Sequence, residues 1–206
     1  MVRKIGIHTV SNNDINKVDF TKLLEGKKAH ILYTDPPWGD GNMKYWCTIN
    51  KRMTGANHEP LSYSSLILLI KEIIRNNVDG YVFIETGKKW LDSTLKELDD
   101  VIFNKQVFML TYKAGSSILE NPVIVGSTRP ENLLPTGLND LEGALDENSL
   151  KIAIPLLAKE NAILLDPCCG MGNSARSAID NNMVFVGNEF NAKRLDKTVA
   201  SLLKTI

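Results

Sequence analysis

The chain has 206 residues, is 43% hydrophobic and 23% charged, and balances 24 basic against 24 acidic side chains, which suits one domain with a substantial core and excludes both a disordered chain and a global basic field for nucleic acid. Three cysteines, two of them adjacent as Cys168 and Cys169, and three scattered histidines give neither a disulfide framework nor a zinc spacing, so no structural metal is expected. Its apolar runs are too short to span a bilayer and the stretch MVRKIGIHTVSNND has no signal-peptide core, so a cytoplasmic protein without membrane association is expected.

In chain order, residues 3–9 predict a short strand, FTKLLEG a short helix, and 29–34 a buried strand. That strand stops at DPPW because neither Pro36 nor Pro37 can donate to a ladder. Residues 39–60 predict a long polar loop. SYSSLILLIKEIIRNN reads as an amphipathic helix, GYVFIET as a buried strand and KKWLDSTLKELDD as a second helix. QVFMLTYK and NPVIVGS are strands on either side of a turn containing AGSS, consistent with an antiparallel hairpin at a sheet edge. Residues 129–145, with two prolines and two glycines, predict a loop, and DENSLKIAIPLLAK a helix that Pro155 kinks or breaks. The chain closes with strand AILLDP, loop CCGMGN, helix SARSAIDNN, strand MVFVGNEF and a terminal helix. Strands alternating with helices predict one doubly wound α/β domain over residues 1–206. It should hold a seven-stranded, mostly parallel sheet with an antiparallel edge hairpin and helices on both faces.

Two loops carry the chemistry. Asp35, Pro36, Pro37 and Trp38 fall at the carboxyl end of a strand, where open parallel sheets bind ligands. In the second, Asp166, Pro167, Cys168, Gly170, Gly172 and Asn173 form a glycine-rich turn between strand and helix, which lets backbone amides approach a ligand closely. Glu189 ends the next strand roughly twenty residues on, where Rossmann-type sites use an acid to accept from ribose hydroxyls. A GxG turn alone fits a tight structural turn equally well, but an acid before it and another after it favour a nucleoside site. GMGNSA lacks the third glycine of GxGxxG, and the lysine of GxxxxGKS is missing, so a nucleoside without phosphates fits better than a dinucleotide or a triphosphate. S-adenosyl-L-methionine is such a ligand: Glu189 would hold its ribose, with its amino-acid end near the glycine turn and Asp35.

TDPPW followed by LLDPCCGMGNSARSAI and MVFVGNEF resembles the amino-methyltransferase motifs of enzymes that methylate exocyclic amines of nucleic-acid bases. The order, with the catalytic motif before the cofactor loop, is similar to that of the permuted, beta-type bacterial DNA adenine methyltransferases, whose usual text is near DPPY and LDPFxGSGTT. The resemblance implies a Rossmann-like methyltransferase fold, S-adenosyl-L-methionine as cofactor and the N6 amine of adenine in DNA as target. RNA adenine-N6 and DNA cytosine-N4 are the alternatives, although cytosine enzymes of this type more often show serine in place of Asp35. Tryptophan in the motif and the GNEF ending also resemble the messenger-RNA adenosine methyltransferases. There are departures. Cys168 and Cys169 replace a more usual apolar and polar pair, Asn173 and Ser174 stand where threonines are common, and LDENSLKIA replaces a lysine-proline helix start. The short 129–145 loop stands where related enzymes carry a recognition insert, which leaves room for a second protomer or a partner subunit, or for a catalytically silent binding subunit of a pair.

The chemical difficulty is the nucleophile, because the lone pair of an aromatic amine is delocalised into its ring. Asp35 and the Pro36 carbonyl would accept the two amino hydrogens and turn the lone pair toward the methyl group, the proline pair fixing their angle and Trp38 stacking on the base. A lone DPPW would read as a capped turn with a rim tryptophan; the downstream loop reverses that preference. Lys44, Lys51 and Arg52, interleaved with Tyr45 and Trp46, suit a nucleic-acid backbone with splayed bases or else a solvated loop, with Lys88, Lys89, Lys113 and Arg129 as the alternative grip. Trp46 and Trp90 also read as packing residues, the cysteines as inert neighbours and His58 as a solvated loop residue.

Overall fold

The computed structural model describes residues 1–205, without the side chains of Glu147 and Thr205. In chain order the elements are β1 (Val2–Ile5), β2 (His8–Ser11), α1 (Phe20–Leu23), β3 (Ala29–Thr34), α2 (Asp40–Thr54), α3 (Tyr63–Asn77), β4 (Val78–Glu85) and α4 (Leu91–Glu97). They continue as β5 (Phe103–Ala114), β6 (Ser117–Ser127), α5 (Asp146–Leu157), β7 (Ile163–Asp166), α6 (Asn173–Asp180), β8 (Val184–Asn188) and α7 (Ala192–Leu202). The strands form one eight-stranded sheet in the order β1-β2-β8-β7-β3-β4-β6-β5. Its centre is parallel, and the β5–β6 hairpin is antiparallel at one edge, as its sequence predicts. Among the described residues no helix is long and apolar enough to cross a membrane.

Three segments differ from expectation. The strand predicted over 3–9 is a hairpin instead: Gly6 at φ +56° reverses the chain, so that Ile5 pairs with His8 and Val2 with Ser11. This adds the eighth strand. The predicted loop 39–60 is largely the four-turn helix α2. Glycines bound it at both ends: Gly39 enters at φ +88° with the indole of Trp90 where a Cβ would stand, and the amide of Gly55, left-handed, closes on the Lys51 carbonyl. Within the predicted 129–145 loop, Thr136–Leu141 form a 3-10 turn that buries Leu138 and Leu141. Pro155 sits in the last turn of α5, which ends two residues later rather than breaking.

Period-two alternation divides the core into two layers. Ile31, Phe83, Leu164 and Phe185 face one side, toward α5, α6 and α7, while Leu32, Val82, Leu165 and Val186 face the other, toward α3. Helix α3 buries Leu66, Ile67, Ile70, Ile73 and Ile74, an i, i+3, i+4 stripe, and Ser62 caps it by accepting from the Ser65 amide. The sheet's central feature is the β3/β7 pair, Ile31 opposite Leu164 and Leu32 opposite Leu165. From β3 the chain moves to β4 on one side, and from β7 it moves to β8 on the other, so the loops leaving these two strands diverge. This is a topological switch point, and it opens a crevice between DPPW and the glycine turn.

Candidate active site

That crevice is a cleft of about 300 Å³. Asp35, Pro36, Pro37 and Trp38 form one wall, Pro167, Cys168, Gly170 and Glu189 the opposite wall, and α2 contributes Asn42, Met43, Trp46, Cys47 and Asn50. The spacing of the α2 residues is i, i+1, i+4, i+5, i+8, one helical face. Two loops far apart in sequence are thus brought together by adjacent strand ends.

Asp35 is exposed and lines the cleft. Desolvation pushes its pKa up to about 6; the Trp38 bond and Arg194 pull down, and Asp146 adds a push upward. Trp38 Nε1–H donates to Asp35 Oδ1 at 3.1 Å, so the indole orients the acid as well as lining the cleft. Behind this motif lies a buried acid that sequence reading missed. Glu85, 3% exposed at the end of β4, accepts from Tyr33 Oη–H at 2.8 Å and from Asn121 Nδ2–H at 3.0 Å. Burial first, and then the neighbouring Asp35, raise its pKa to about 8, so it is largely protonated at neutral pH.

The glycine turn is organised from beneath. Asp166, 2% exposed, accepts from the Cys168 amide at 2.9 Å and from Ser174 Oγ–H at 2.5 Å; burial lifts its pKa to about 7 although both bonds oppose this. Its role in the structure is to shape the loop, and it is Pro167, Cys168 and Gly170 that reach the cleft. Gly172 takes φ +85°, and a Cβ there would stand 2.9 Å from Thr198 Cα, so the turn closes onto α7 only with glycine. Asn173 begins α6 and is bonded by Arg176, outside the cleft lining. Burial pushes both thiols, Cys168 and Cys169, up, so neither is a thiolate at neutral pH.

Glu189 is 7% exposed and lines the cleft. Its Oε2 accepts from the Gly170 amide and its Oε1 from the Asn191 amide, both at 2.8 Å. Burial raises its pKa, opposed by the Asn191 amide, Arg194 and the Gly170 amide. Each oxygen keeps a further lone pair for a ligand hydroxyl.

Helix α2 sorts the predicted basic and aromatic residues by face. Trp46 turns into the cleft beneath the Arg194 guanidinium, 4.5 Å from the ring centroid. Lys44, Lys51 and Arg52 are exposed and lie around the helix on the side away from the cleft-lining stripe. Trp90 packs against Tyr63, a core contact. His58 is half-buried against Phe190, ring centroids 4.1 Å apart, and Phe190 lines the cleft beside Glu189. Tyr112, on the distant β5, meets Trp38 edge to face at 6.0 Å. Phe190 closes the GNEF ending that the sequence already marks, whereas Tyr112 and Arg194 carry no motif signal and are placed by the sheet register and by α7.

No family model matches the sequence, and no curated protein matches it significantly. Solved structures do match along nearly the whole chain. M1.HpyAVI in its SAM complex superposes with a TM-score of 0.65 at 11% identity, covering 93% of this chain and 96% of that one. TTHA0409 of Thermus thermophilus, complexed with S-adenosyl-L-methionine, gives 0.63 at 13% identity over 97% and 94%. The cytosine-N4-specific PvuII DNA methyltransferase gives 0.62 at 14% identity over 98% and 90%. The fold is the Rossmann-like methyltransferase fold.

Proposed function

We propose that the chain is an S-adenosyl-L-methionine-dependent amino-methyltransferase of the permuted, beta-type order, acting on the N6 amine of adenine in DNA. One observation carries this reading: an acid fixed in a DPPW turn and a nucleoside-type acid beside a glycine turn line the same cleft, where β3 and β7 part. The cleft's volume of about 300 Å³ is at the lower end for small-molecule sites. The residues fit the cofactor. Glu189 has lone pairs left for the ribose hydroxyls, Phe190 offers an apolar face next to it, and Asn188 at the cleft wall holds a buried Oδ1 with no partner among the described residues. The bound cofactor would supply an electrophilic methyl group on a sulfonium.

The chain's own residues then act on the amine. Asp35 and the Pro36 carbonyl accept the two amino hydrogens, which turns the nitrogen lone pair out of the ring and toward the methyl group. Trp38 holds the carboxylate through its indole N–H, and with Tyr112 it gives the mouth an aromatic wall for an unstacked base. Once nitrogen has gained the methyl group it carries one proton too many. Asp35, with a pKa of about 6, takes that proton and passes it to water at the open mouth. Aspartate rather than serine at position 35 favours adenine over cytosine, although the fold is shared with a cytosine-N4 enzyme.

Mass spectrometry of nucleosides from DNA and from RNA incubated with the protein and methyl-labelled S-adenosyl-L-methionine tests this. The expected product is labelled N6-methyladenine in DNA; label confined to N4-methylcytosine, or to RNA, would overturn the substrate assignment.

A further inference from the structure

The β5–β6 hairpin outruns the sheet that carries it. Strand β4 ends at Glu85, opposite Val123, and the last bond to β6 is from the Thr86 amide to Pro122. Ser117–Asn121, paired with Leu110–Ala114, continue past that point. Leu110 and Asn121 are still buried and the Thr111 amide is bonded to the Ala144 carbonyl, so the free arm is Tyr112–Ala114 with Ser117–Leu119, three pairs at about 3.4 Å each or roughly 10 Å. Below its Ala114–Ser117 turn the arm is apolar and exposed: Ile118 is 68% and Leu119 44% accessible. Register fixes where they face. Leu119 pairs with Tyr112 and shares its face, the face whose tyrosine touches Trp38, while Ile118 pairs with Lys113 on the other. From Tyr112 to Leu119 the arm carries one lysine and no acid, and at its base Lys88 pairs with Glu120.

We infer that this arm is a wedge for duplex DNA, in which Leu119, on the face that Tyr112 shares with Trp38, enters between stacked bases next to the cleft and holds open the gap left by the target nucleotide, while Ile118 covers the opposite face. The inference rests on the proposed function and deepens it by naming the segment that holds the opened step of the duplex. A base in a duplex is out of reach until it is unstacked at a cost of a few kcal/mol, and apolar wedges at a groove lower that cost by occupying the opened step. The arm sets the parts side by side: Lys113 for a flanking phosphate level with Ile118 on one face, and on the other Leu119 level with Tyr112, which leads through Trp38 to Asp35. Two aliphatic side chains on opposite faces cover far less than the roughly 800 Å² per partner of a stable protein pair, which argues against the arm as a contact for a second copy.

Both Ile118 and Leu119 are exposed, so I118S/L119S leaves the core untouched. Incorporation of labelled methyl groups into native duplex DNA and into the same DNA heat-denatured tests the inference. The double variant should lose tenfold or more on the duplex and stay within about twofold of wild type on denatured DNA. Equal losses on both forms, or none on either, would overturn the wedge while leaving the methyltransferase reading intact. A wild-type protein inactive on both forms would overturn the reading beneath it. A wild-type dimer that the variant converts to monomers in sedimentation would assign the arm to a second copy and likewise overturn the wedge.

Discussion

Trp38 donates its indole N–H to Asp35 across 3.1 Å, so the first and last residues of DPPW act as one unit. The bond favours the ionised carboxylate against the desolvation that lifts its pKa to about 6. Only the ionised carboxylate can accept an amino hydrogen beside the Trp38 bond and then take up the released proton, so turnover should fall as pH drops through about 6. Replacing Trp38 with Phe removes the donor and keeps an aromatic face. The acid limb of the kcat profile should then move to higher pH, with kcat at neutral pH down by roughly tenfold and cofactor affinity unchanged, since one lost hydrogen bond to a charged group is worth about 1.5–3 kcal/mol. A profile with an unmoved limb would show that the indole does not govern the acid.

Glu189 accepts from the amides of Gly170 and Asn191 and faces the cleft with its remaining lone pairs. Glu189→Ala removes both the ligand contact and the anchor of the glycine turn, so S-adenosyl-L-methionine should bind more than tenfold more weakly, at least about 1.4 kcal/mol. Glu189→Gln should fall between the two, because its one oxygen can still accept from an amide. Calorimetry giving the alanine variant wild-type affinity would remove Glu189 from the cofactor site.

How far the sequence announces this site depends on what kind of residue holds each part. Prolines and glycines are legible because their backbone limits are local: Pro36 and Pro37 end β3, and Gly170 and Gly172 mark the turn after β7. Acids at strand ends, Asp35 and Glu189, follow from those boundaries. Helix α2 was not legible, since its cleft face mixes Asn42, Met43, Trp46, Cys47 and Asn50, and a face built for a ligand lacks the apolar stripe of a core helix. Glu85 and Tyr112 were hidden for another reason. They stand near Asp35 only because β4 and β5 take particular places and registers in the sheet, information that no local window contains.

Four acids around the cleft, Asp35, Glu85, Asp166 and Glu189, have raised pKa values in the fold. The folded state therefore binds protons more tightly than the unfolded chain. Each acid supports the fold fully below its unfolded value near 4, and that support is lost as pH rises through the folded values, about 6, 8 and 7 for the first three. The thermal midpoint of the cofactor-free protein should fall by several degrees between pH 5 and pH 8. Glu85→Gln keeps an acceptor for Tyr33 and cannot ionise, so it should flatten the upper part of that slope. A midpoint that rises over this range would contradict the buried-acid account.

Nucleic-acid grip is the remaining question, and the two basic groups differ in where they stand. Lys44, Lys51 and Arg52 lie on α2 away from its cleft-lining stripe, and Arg129 is paired with Asp79 near the start of β4, the end of the sheet opposite the cleft. Lys113 sits on the projecting hairpin, and Lys88 at the hairpin's base is paired with the exposed Glu120. A duplex guided to Asp35 along the hairpin would meet Lys88 and Lys113 rather than the outer face of α2. Each phosphate neutralised releases counterions and steepens the logarithmic salt dependence by about 0.9. Replacing Lys88 and Lys113 together with alanine should lower that slope by about 1.8, whereas the triple alanine variant at 44, 51 and 52 should lower it by less than one. Filter-binding titrations between low and moderate salt measure both. A larger loss in the triple variant would move the DNA path onto α2, and with it the first contact that the duplex makes.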